Sequence, residues 1–234
     1  MKHTKESLEL LAQKFRTEHD LGATDSINIK SLLRQLNILT VFKPMSDKAY
    51  GLSVKSGDNS KFILINSNKT KGRQHFTIAH EIFHLFYDEN PCPHLCDMEG
   101  SNKTEQNANC FASALLMPKD GILKLIPDNN ILTKNITIGI VLKLEQYFGV
   151  SRSSMILRLK SIGLINEARL QELLSIPVIE SAKQYGYDLS LYKSGNENLV
   201  IGDYGEKART LFENGKISEG HYVELLNRIT NGQN

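Results

Sequence analysis

Residues 74–88 read QHFTIAHEIFHLFYD and contain the pattern His80-Glu81-Ile82-Phe83-His84. In a helix, side chains four positions apart lie on the same face, one turn from each other, so both imidazoles can reach one zinc ion. Glu81 follows the first histidine and can reach a water on that metal as a catalytic base. The rest of the stretch is mostly apolar and predicts a buried helix. Burying these polar side chains is costly unless a partner such as a metal offsets the cost.

A catalytic zinc site takes three protein ligands and keeps one position open. The next predicted helix, residues 102–117, carries Glu105 near its start, and Glu105 is a candidate for the third ligand. Asn109 lies four residues later on the same face, where its side chain could hold a ligand in orientation. Five residues between the two helices compete for the third position: Asp88, Glu89, His94, Asp97 and Glu99.

The composition is that of an ordinary globular protein. The chain has 234 residues, 40% hydrophobic and 23% charged, with a net charge of +2, which neither requires nor excludes nucleic acid. The amino terminus lacks the apolar core of a signal peptide, and no apolar run approaches the roughly 20 residues that span a bilayer. Three cysteines, one necessarily unpaired within the chain, suit a reducing compartment. We therefore expect a cytoplasmic protein whose proteolysis would be regulatory rather than digestive.

The order of predicted elements is typical of an α+β domain. Two amphipathic helices, at residues 4–19 and about 25–37, precede three strand-like segments at 38–43, 49–57 and 61–67. These strands predict a small antiparallel sheet beside the metal helix. Its edge strand could pair with an extended substrate or could simply cover the helix.

The segment 88–103 reads as an exposed loop punctuated by prolines and a glycine. It carries Cys92, His94 and Cys96. A second metal site and a redox-active thiol pair are alternatives to an exposed loop with incidental cysteines.

Two blocks together resemble the ImmA/IrrE family of zinc metallo-endopeptidases: HFTIAHEIFHLFYDE at 75–89 and EQNANCFASALLMP at 105–118. The resemblance covers about residues 25–165 and implies a zincin-like peptidase domain, which we assign to residues 1–127. In this family the two histidines and the glutamate of the second block bind zinc, which implies His80, His84 and Glu105 as ligands. Members similar to this chain are cytosolic regulators that cleave a partner helix-turn-helix repressor. The family usually has a glycine where this chain has Phe83, so the packing beside the site is expected to differ.

Residues 128–166 form a second predicted segment, in which two helices flank a Gly149-Val150-Ser151 turn and resemble a helix-turn-helix. The stretch 134–165 has five basic residues and one acidic residue. Direct DNA binding would use an exposed Arg152 and Ser153, with Lys160 on phosphate. Glu145 argues against it, because a small residue normally occupies that position. The alternative is that the segment packs on the catalytic unit.

Residues 167–234 predict a small carboxyl-terminal module of unclear role, with short strands near 189–194 and 197–203 and two final helices. The expected function of the whole chain is that of a zinc-dependent regulatory endopeptidase. The alternatives are a non-catalytic regulator that binds a repressor or DNA, and one half of a toxin–antitoxin pair. Hydrolysis of a peptide bond forms an oxyanion on its carbonyl group. Three residues are candidates, by residue type alone, for stabilising it: Tyr50, His75 and Tyr87.

Overall fold

The structure, a computed structural model, describes residues 3–57, 59–88 and 102–230, with side chains to residue 227. The first half of the chain contains two helices, three strands and the predicted metal helix. Their bounds are α1 (Lys5–Glu18), α2 (Ile29–Gln35), β1 (Ile38–Lys43), β2 (Gly51–Lys55), β3 (Lys61–Asn66) and α3 (Lys71–Tyr87).

The second half is almost entirely helical. After α4 (Lys103–Leu116) come α5 (Lys119–Leu125), α6 (Asp128–Leu132), α7 (Ile138–Phe148), α8 (Arg152–Ser161), α9 (Glu167–Ser175) and α10 (Val178–Gln184). A 3-10 turn (Ser190–Tyr192) leads to β4 (Val200–Ile201), α11 (Tyr204–Glu213) and α12 (Glu219–Thr230). The predicted strand near 189–194 is therefore wrong, since this segment forms the 3-10 turn, whereas part of the 197–203 stretch does form a strand.

The sheet has the strand order β2-β3-β1-β4. The α+β class is confirmed, but the sheet is mixed rather than antiparallel, because β1 and β3 pair in parallel while β2–β3 and β1–β4 are antiparallel. The reason is the apolar character of β3: Ile63 and Ile65 are fully buried, so β3 takes a central position and β2 is left at the edge. A simple up-and-down antiparallel meander of these three strands would have placed β2 in the middle.

Two glycines allow close packing around α3. A Cβ on Gly51 would lie 2.8 Å from Thr77 Cγ2, so the absence of a side chain lets β2 approach the helix. A Cβ on Gly72 would lie 2.7 Å from the backbone nitrogen of Ser151, in the turn between α7 and α8. The metal helix is thus fixed on one side by the edge strand and at its first turn by the helix-turn-helix-like segment.

The helix-turn-helix-like segment does form two helices joined by a left-handed Gly149 (φ +65°). Arg152, however, is only 4% exposed, and its guanidinium donates to both carboxylate oxygens of Glu145 at 2.7 and 2.9 Å. The exposed Arg152 that direct DNA binding would use is therefore not present, which favours the alternative that this segment packs on the catalytic unit. The acid that replaces the usual small residue at position 145 draws the arginine into the interface between α7 and α8.

Several expectations fall on undescribed residues. The loop that carries Cys92, His94 and Cys96, together with the competing ligands Glu89, Asp97 and Glu99, lies outside the described residues. Within the described ranges, no helix combines the length and the apolar character needed to cross a membrane.

Candidate metal centre

The two histidines of the metal helix lie side by side in the interior. His80 and His84 are one turn apart on α3, both are at most 1% exposed, and their Nε2 atoms lie 3.2 Å apart. The apolar face of α3 packs into the core around them, since Ile78, Ala79 and Ile82 are fully buried. The helix therefore presents two imidazole nitrogens to one point.

The third member of the cluster is Glu105, from the first turn of α4. Its Oε2 atom lies 3.0 Å from His80 Nε2, and its Oε1 atom lies 3.4 Å from His84 Nε2. The donor atoms of the three residues all lie within 4.8 Å of one another, and all three residues are buried. Helices α3 and α4 pack directly on each other, which brings together side chains that are 21 to 25 positions apart in sequence.

Each histidine is also held through its other ring nitrogen. His80 Nδ1 donates to Asn109 Oδ1 at 2.9 Å, and His84 Nδ1 donates to a carboxylate oxygen of Asp88 at 3.1 Å. These bonds orient both rings with Nε2 toward the cluster, and metal-binding histidines held in this way keep a proton on Nδ1 and bind the metal through the Nε2 lone pair. Asn109 thus lies where an orienting residue was expected. Asp88, a competitor for the third position, contacts the far side of His84 instead.

The electrostatics of the cluster favour an ionised carboxylate. Burial raises the pKa of Glu105, but hydrogen bonds to His80 and His84 and their charges outweigh it, so the net pKa lies well below its usual value. Burial lowers the pKa of His84, but hydrogen bonds to Glu105 and Asp88 reverse this and the net pKa is raised. Two Nε2 atoms facing each other across a carboxylate form a donor set that a divalent cation satisfies, and two imidazoles with one carboxylate suit zinc.

Glu81 lies beside the cluster in a buried position of its own. It is 1% exposed, and its Oε2 atom accepts a hydrogen bond of 2.6 Å from Ser53 Oγ on the edge strand β2. Its other oxygen, Oε1, is buried without a hydrogen-bond partner in the described part of the chain. A buried carboxylate oxygen left unpaired is costly, and it is available to take a proton from a group that enters the site.

Two contacts of the candidate site were not predicted from the sequence. Asp88 follows His84 by four residues, so helical spacing could have identified it as a partner of the second histidine. Ser53 carries no such signal, because its contact with Glu81 depends on how β2 packs across α3. The contact of Asp88 could therefore be predicted from spacing along the helix, whereas the contact of Ser53 follows only from the tertiary packing.

Phe83, where the family usually has a glycine, is 2% exposed and packs against aromatic neighbours. Its ring centroid lies 5.6 Å from that of Phe111 and 6.0 Å from that of Tyr87. An aromatic cluster that includes Phe111 and Tyr87 therefore accommodates the large Phe83 side chain next to the site.

The three oxyanion candidates differ in their contacts. His75 Nδ1 lies 2.8 Å from the carbonyl oxygen of Gly149, at the turn between α7 and α8. Burial raises the pKa of Tyr87 to about 12, and its ring packs in the aromatic cluster. Tyr50 lies just before β2, where its hydroxyl accepts a hydrogen bond of 3.3 Å from Arg73.

The sequence profile of the IrrE N-terminal-like domain, peptidase family M78, matches residues 33–160, which is more than half of the chain. The chain belongs to this IrrE-like peptidase family. The resemblance to the ImmA/IrrE family is thereby confirmed, and the buried His80-His84-Glu105 cluster of this IrrE-like chain is compatible with a metal site.

A Mycobacterium tuberculosis transcriptional regulator is among the similar solved structures, with 19% sequence identity and a TM-score of 0.46. The match covers 66% of this chain and 46% of that one, so it spans less than half of the regulator's length. No curated protein sequence is significantly similar to this IrrE-like chain.

Proposed function

We propose that the chain is a zinc-dependent regulatory endopeptidase that cleaves a partner helix-turn-helix repressor. The observation that carries the proposal is the convergence of two imidazole nitrogens and one carboxylate within 4.8 Å in the interior, with Glu81 beside them. Membership of a peptidase family supports the reaction class. The repressor is the partner that the resemblance to ImmA/IrrE regulators implies.

His80, His84 and Glu105 would hold the zinc ion. The ion, when bound, supplies Lewis acidity: it makes a water acidic enough to ionise near pH 7 and polarises a peptide carbonyl. Asn109 and Asp88 keep the two imidazoles turned toward it through their bonds to the Nδ1 atoms. The two helices thereby fix the ligands before any substrate arrives.

Glu81 is the general base in this proposal. Its unpaired Oε1 atom takes the proton of the attacking water and passes it to the departing amine. Ser53 holds the opposite oxygen and so fixes the orientation of the carboxylate. Burial of Glu81 excludes bulk water from its surroundings, which strengthens its interactions with the reacting groups.

In this proposal the substrate backbone pairs with the edge strand β2. Within the described residues β2 pairs only with β3, and its Ser53 contacts the proposed base. An extended peptide that pairs with the free edge of β2 would bring one of its peptide bonds to Glu81. The substrate is therefore expected to be extended, or locally unfolded, where it is cut.

The first experiment measures metal content by elemental analysis in wild type, Glu105→Ala and the control Glu180→Ala, which removes an exposed acid on α10. We expect about one zinc per chain in wild type and in the control, and most of it lost in Glu105→Ala. Wild type that stays metal-free after incubation with zinc would overturn the proposal. Full retention in Glu105→Ala would move the third ligand elsewhere.

The Glu81→Gln variant separates cleavage from binding. We expect it to keep zinc but lose cleavage of a co-expressed helix-turn-helix repressor encoded near the gene, detected by mass spectrometry of the fragments. Release of the intact repressor from DNA by wild type and variant alike would instead establish a non-catalytic regulator. Growth arrest that depends on Glu81 would indicate a toxin–antitoxin pair.

A further inference from the structure

A cavity of about 450 Å³ adjoins the metal centre and plays no part in the chemistry described above. It lies between α3, α4 and α8, with the start of α1 and Tyr50 at its rim. Asn109 lines the cavity and also accepts the hydrogen bond from His80. One side chain thus belongs to both sites, so whatever fills the cavity reaches the neighbourhood of the metal ligands.

The walls of the cavity are apolar at three positions on different elements. Phe76 of α3 is 9% exposed, Leu157 of α8 is 55% exposed, and the ring of Tyr50 completes the set. A leucine this exposed beside a buried phenylalanine leaves apolar surface in contact with water. Covering that surface with an apolar side chain would be favourable, because it removes apolar area from water.

The side chains that line the cavity carry more positive than negative charge. Arg158 is neutralised, because its guanidinium forms two hydrogen bonds with the carboxylate of Glu9. Arg73 donates to the hydroxyl of Tyr50 at 3.3 Å, and Lys5 donates to the carbonyl oxygen of Ser161. Among the described residues neither of these two cations has a carboxylate partner. The cavity therefore combines an apolar wall with two cations that an anionic group would complement.

The position of the cavity along the edge strand sets its distance from the chemistry. Tyr50 directly precedes β2, and Ser53, which contacts the proposed base, follows three residues later. At about 3.3 Å per residue, this separation is about 10 Å of extended chain. A peptide paired with β2 would place at the cavity a residue within about three positions of the bond at Glu81.

We propose that this cavity selects the substrate by receiving an apolar side chain that has an acidic residue beside it, within about three residues of the cleaved bond. This inference rests on the proposed peptidase function and specifies the class of peptide segment that the peptidase cuts. Phe76, Leu157 and Tyr50 hold the apolar side chain, and Arg73 and Lys5 hold the carboxylate. The volume accommodates more than one side chain, in keeping with a short peptide segment.

Cys110 allows the cavity to be tested without catalysis or metal. It is exposed and lines the cavity, and Cys92→Ser with Cys96→Ser makes it the only thiol in the chain. The measurement is the rate at which a maleimide modifies Cys110 in the presence of capped octapeptides at millimolar concentration. One set contains two leucines and two glutamates, and the matched set carries lysines in place of the glutamates.

We expect the glutamate peptides to slow modification of Cys110 several-fold and the lysine peptides to have little effect. Arg73→Glu should weaken protection by the glutamate peptides by about fivefold to tenfold and improve protection by the lysine peptides. Leu132→Glu, at an 82% exposed leucine outside the cavity, is the matched control and should change neither. Equal protection by both sets, or protection by neither, would overturn the proposal.

A cleavage assay separates failure of this inference from failure of the proposed function. Zinc-loaded wild type is incubated with a randomised peptide library, and the cut sites are read by mass spectrometry. We expect cut sites rich in leucine, isoleucine, phenylalanine and methionine next to aspartate or glutamate, with a shift toward lysine and arginine in Arg73→Glu. Cutting with a preference that Arg73→Glu leaves unchanged would overturn the cavity assignment alone. Protection of Cys110 without any cutting would overturn the peptidase alone.

Discussion

At the scale of single residues, hydrogen bonds from neighbouring side chains hold the residues of the candidate metal centre in place. Asn109 and Asp88 hold the Nδ1 atoms of the two histidines, and Ser53 holds one oxygen of Glu81. In the proposed zinc site such contacts fix the ring orientations, so we expect their loss to weaken function without removing a ligand.

Asn109→Ala tests the orienting contact to His80. Without the amide oxygen, the His80 ring loses the partner that fixes its tautomer, so zinc affinity should fall by about ten- to a hundredfold. The affinity is measured by competition with a zinc chelator of known strength. Asn107→Ala, the same substitution two residues earlier on α4, should keep wild-type affinity. An Asn109→Ala variant with unchanged zinc affinity would contradict the role given to Asn109.

Ser53→Ala tests the positioning of Glu81. Loss of a hydrogen bond to a charged group should lower kcat by about ten- to a hundredfold, while KM and zinc content stay close to wild type. Ser53→Thr keeps a hydroxyl at the same place on β2 and should restore most of the rate. A threonine variant as slow as the alanine variant would show that strand packing, rather than the hydroxyl, matters at this position.

At the scale of elements, a buried ion pair joins α7 and α8. Arg152 and Glu145 are at most 4% exposed, and Glu145 also accepts a 2.6 Å hydrogen bond from the hydroxyl of Tyr192. Because the turn between these helices packs on the first turn of α3 at Gly72, their geometry also determines where the metal helix lies.

Arg152→Met tests this pair. Removing the guanidinium leaves a buried carboxylate without its counter-charge, so the free energy of unfolding should fall by about 3–5 kcal/mol at pH 8. Stability is measured by chemical denaturation. Lys160→Met, at an exposed position on the same helix, should change the unfolding free energy by no more than about 0.5 kcal/mol.

The pH dependence gives the same variant a second test. Burial raises the pKa of Glu145, although the bonds from Arg152 and Tyr192 lower it in part. A folded-state pKa raised above the unfolded value gives a stability contribution that is complete below the unfolded pKa and lost as the pH rises through the folded pKa. Arg152→Met should raise this pKa further, so its deficit should be smaller at pH 5 than at pH 8. A deficit of equal size at both would contradict the assignment to Glu145.

At the scale of the whole molecule, the carboxyl-terminal part of the chain contributes to the peptidase sheet. Strand β4 pairs with β1, and the side chain of Gln74 on α3 donates to the carbonyl of Gly195 and accepts from Asn196. Helices α11 and α12 pack chiefly against each other. Residues near 195–201 therefore stabilise the metal helix, whereas the final two helices contact the remainder of the chain little.

Two truncations test this division, which falls within the predicted module 167–234 and leaves the other predicted units, 1–127 and 128–166, intact. A chain that ends at Gly202 keeps β4 and should melt within a few degrees of wild type with its zinc retained. A chain that ends at Lys193 loses β4 and two hydrogen-bond partners of the buried Gln74, Gly195 and Asn196, and its Tm should fall by about 10 °C. Equal melting temperatures for the two truncations would show that the segment 194–202 contributes nothing to the fold.

The sequence by itself determined the features that repeat over short distances. The four-residue spacing of His80 and His84, the apolar run around them and the alternation of the strands identified α3, β1, β2 and β3 near their observed bounds, because helical and strand periods are written locally. Glu105 and Asn109 were candidates because they share one face of the next helix, and the resemblance to the ImmA/IrrE family is what favoured Glu105 over its competitors.

The tertiary structure alone decided what depends on contacts between distant segments. It placed β3 between β1 and β2, which made the sheet mixed, and it drew Arg152 into the core to meet Glu145. It also brought Ser53 to Glu81 and opened a cavity beside Asn109. The physical reason is that strand order and burial depend on how much apolar surface the whole chain removes from water. A local sequence pattern does not contain that information.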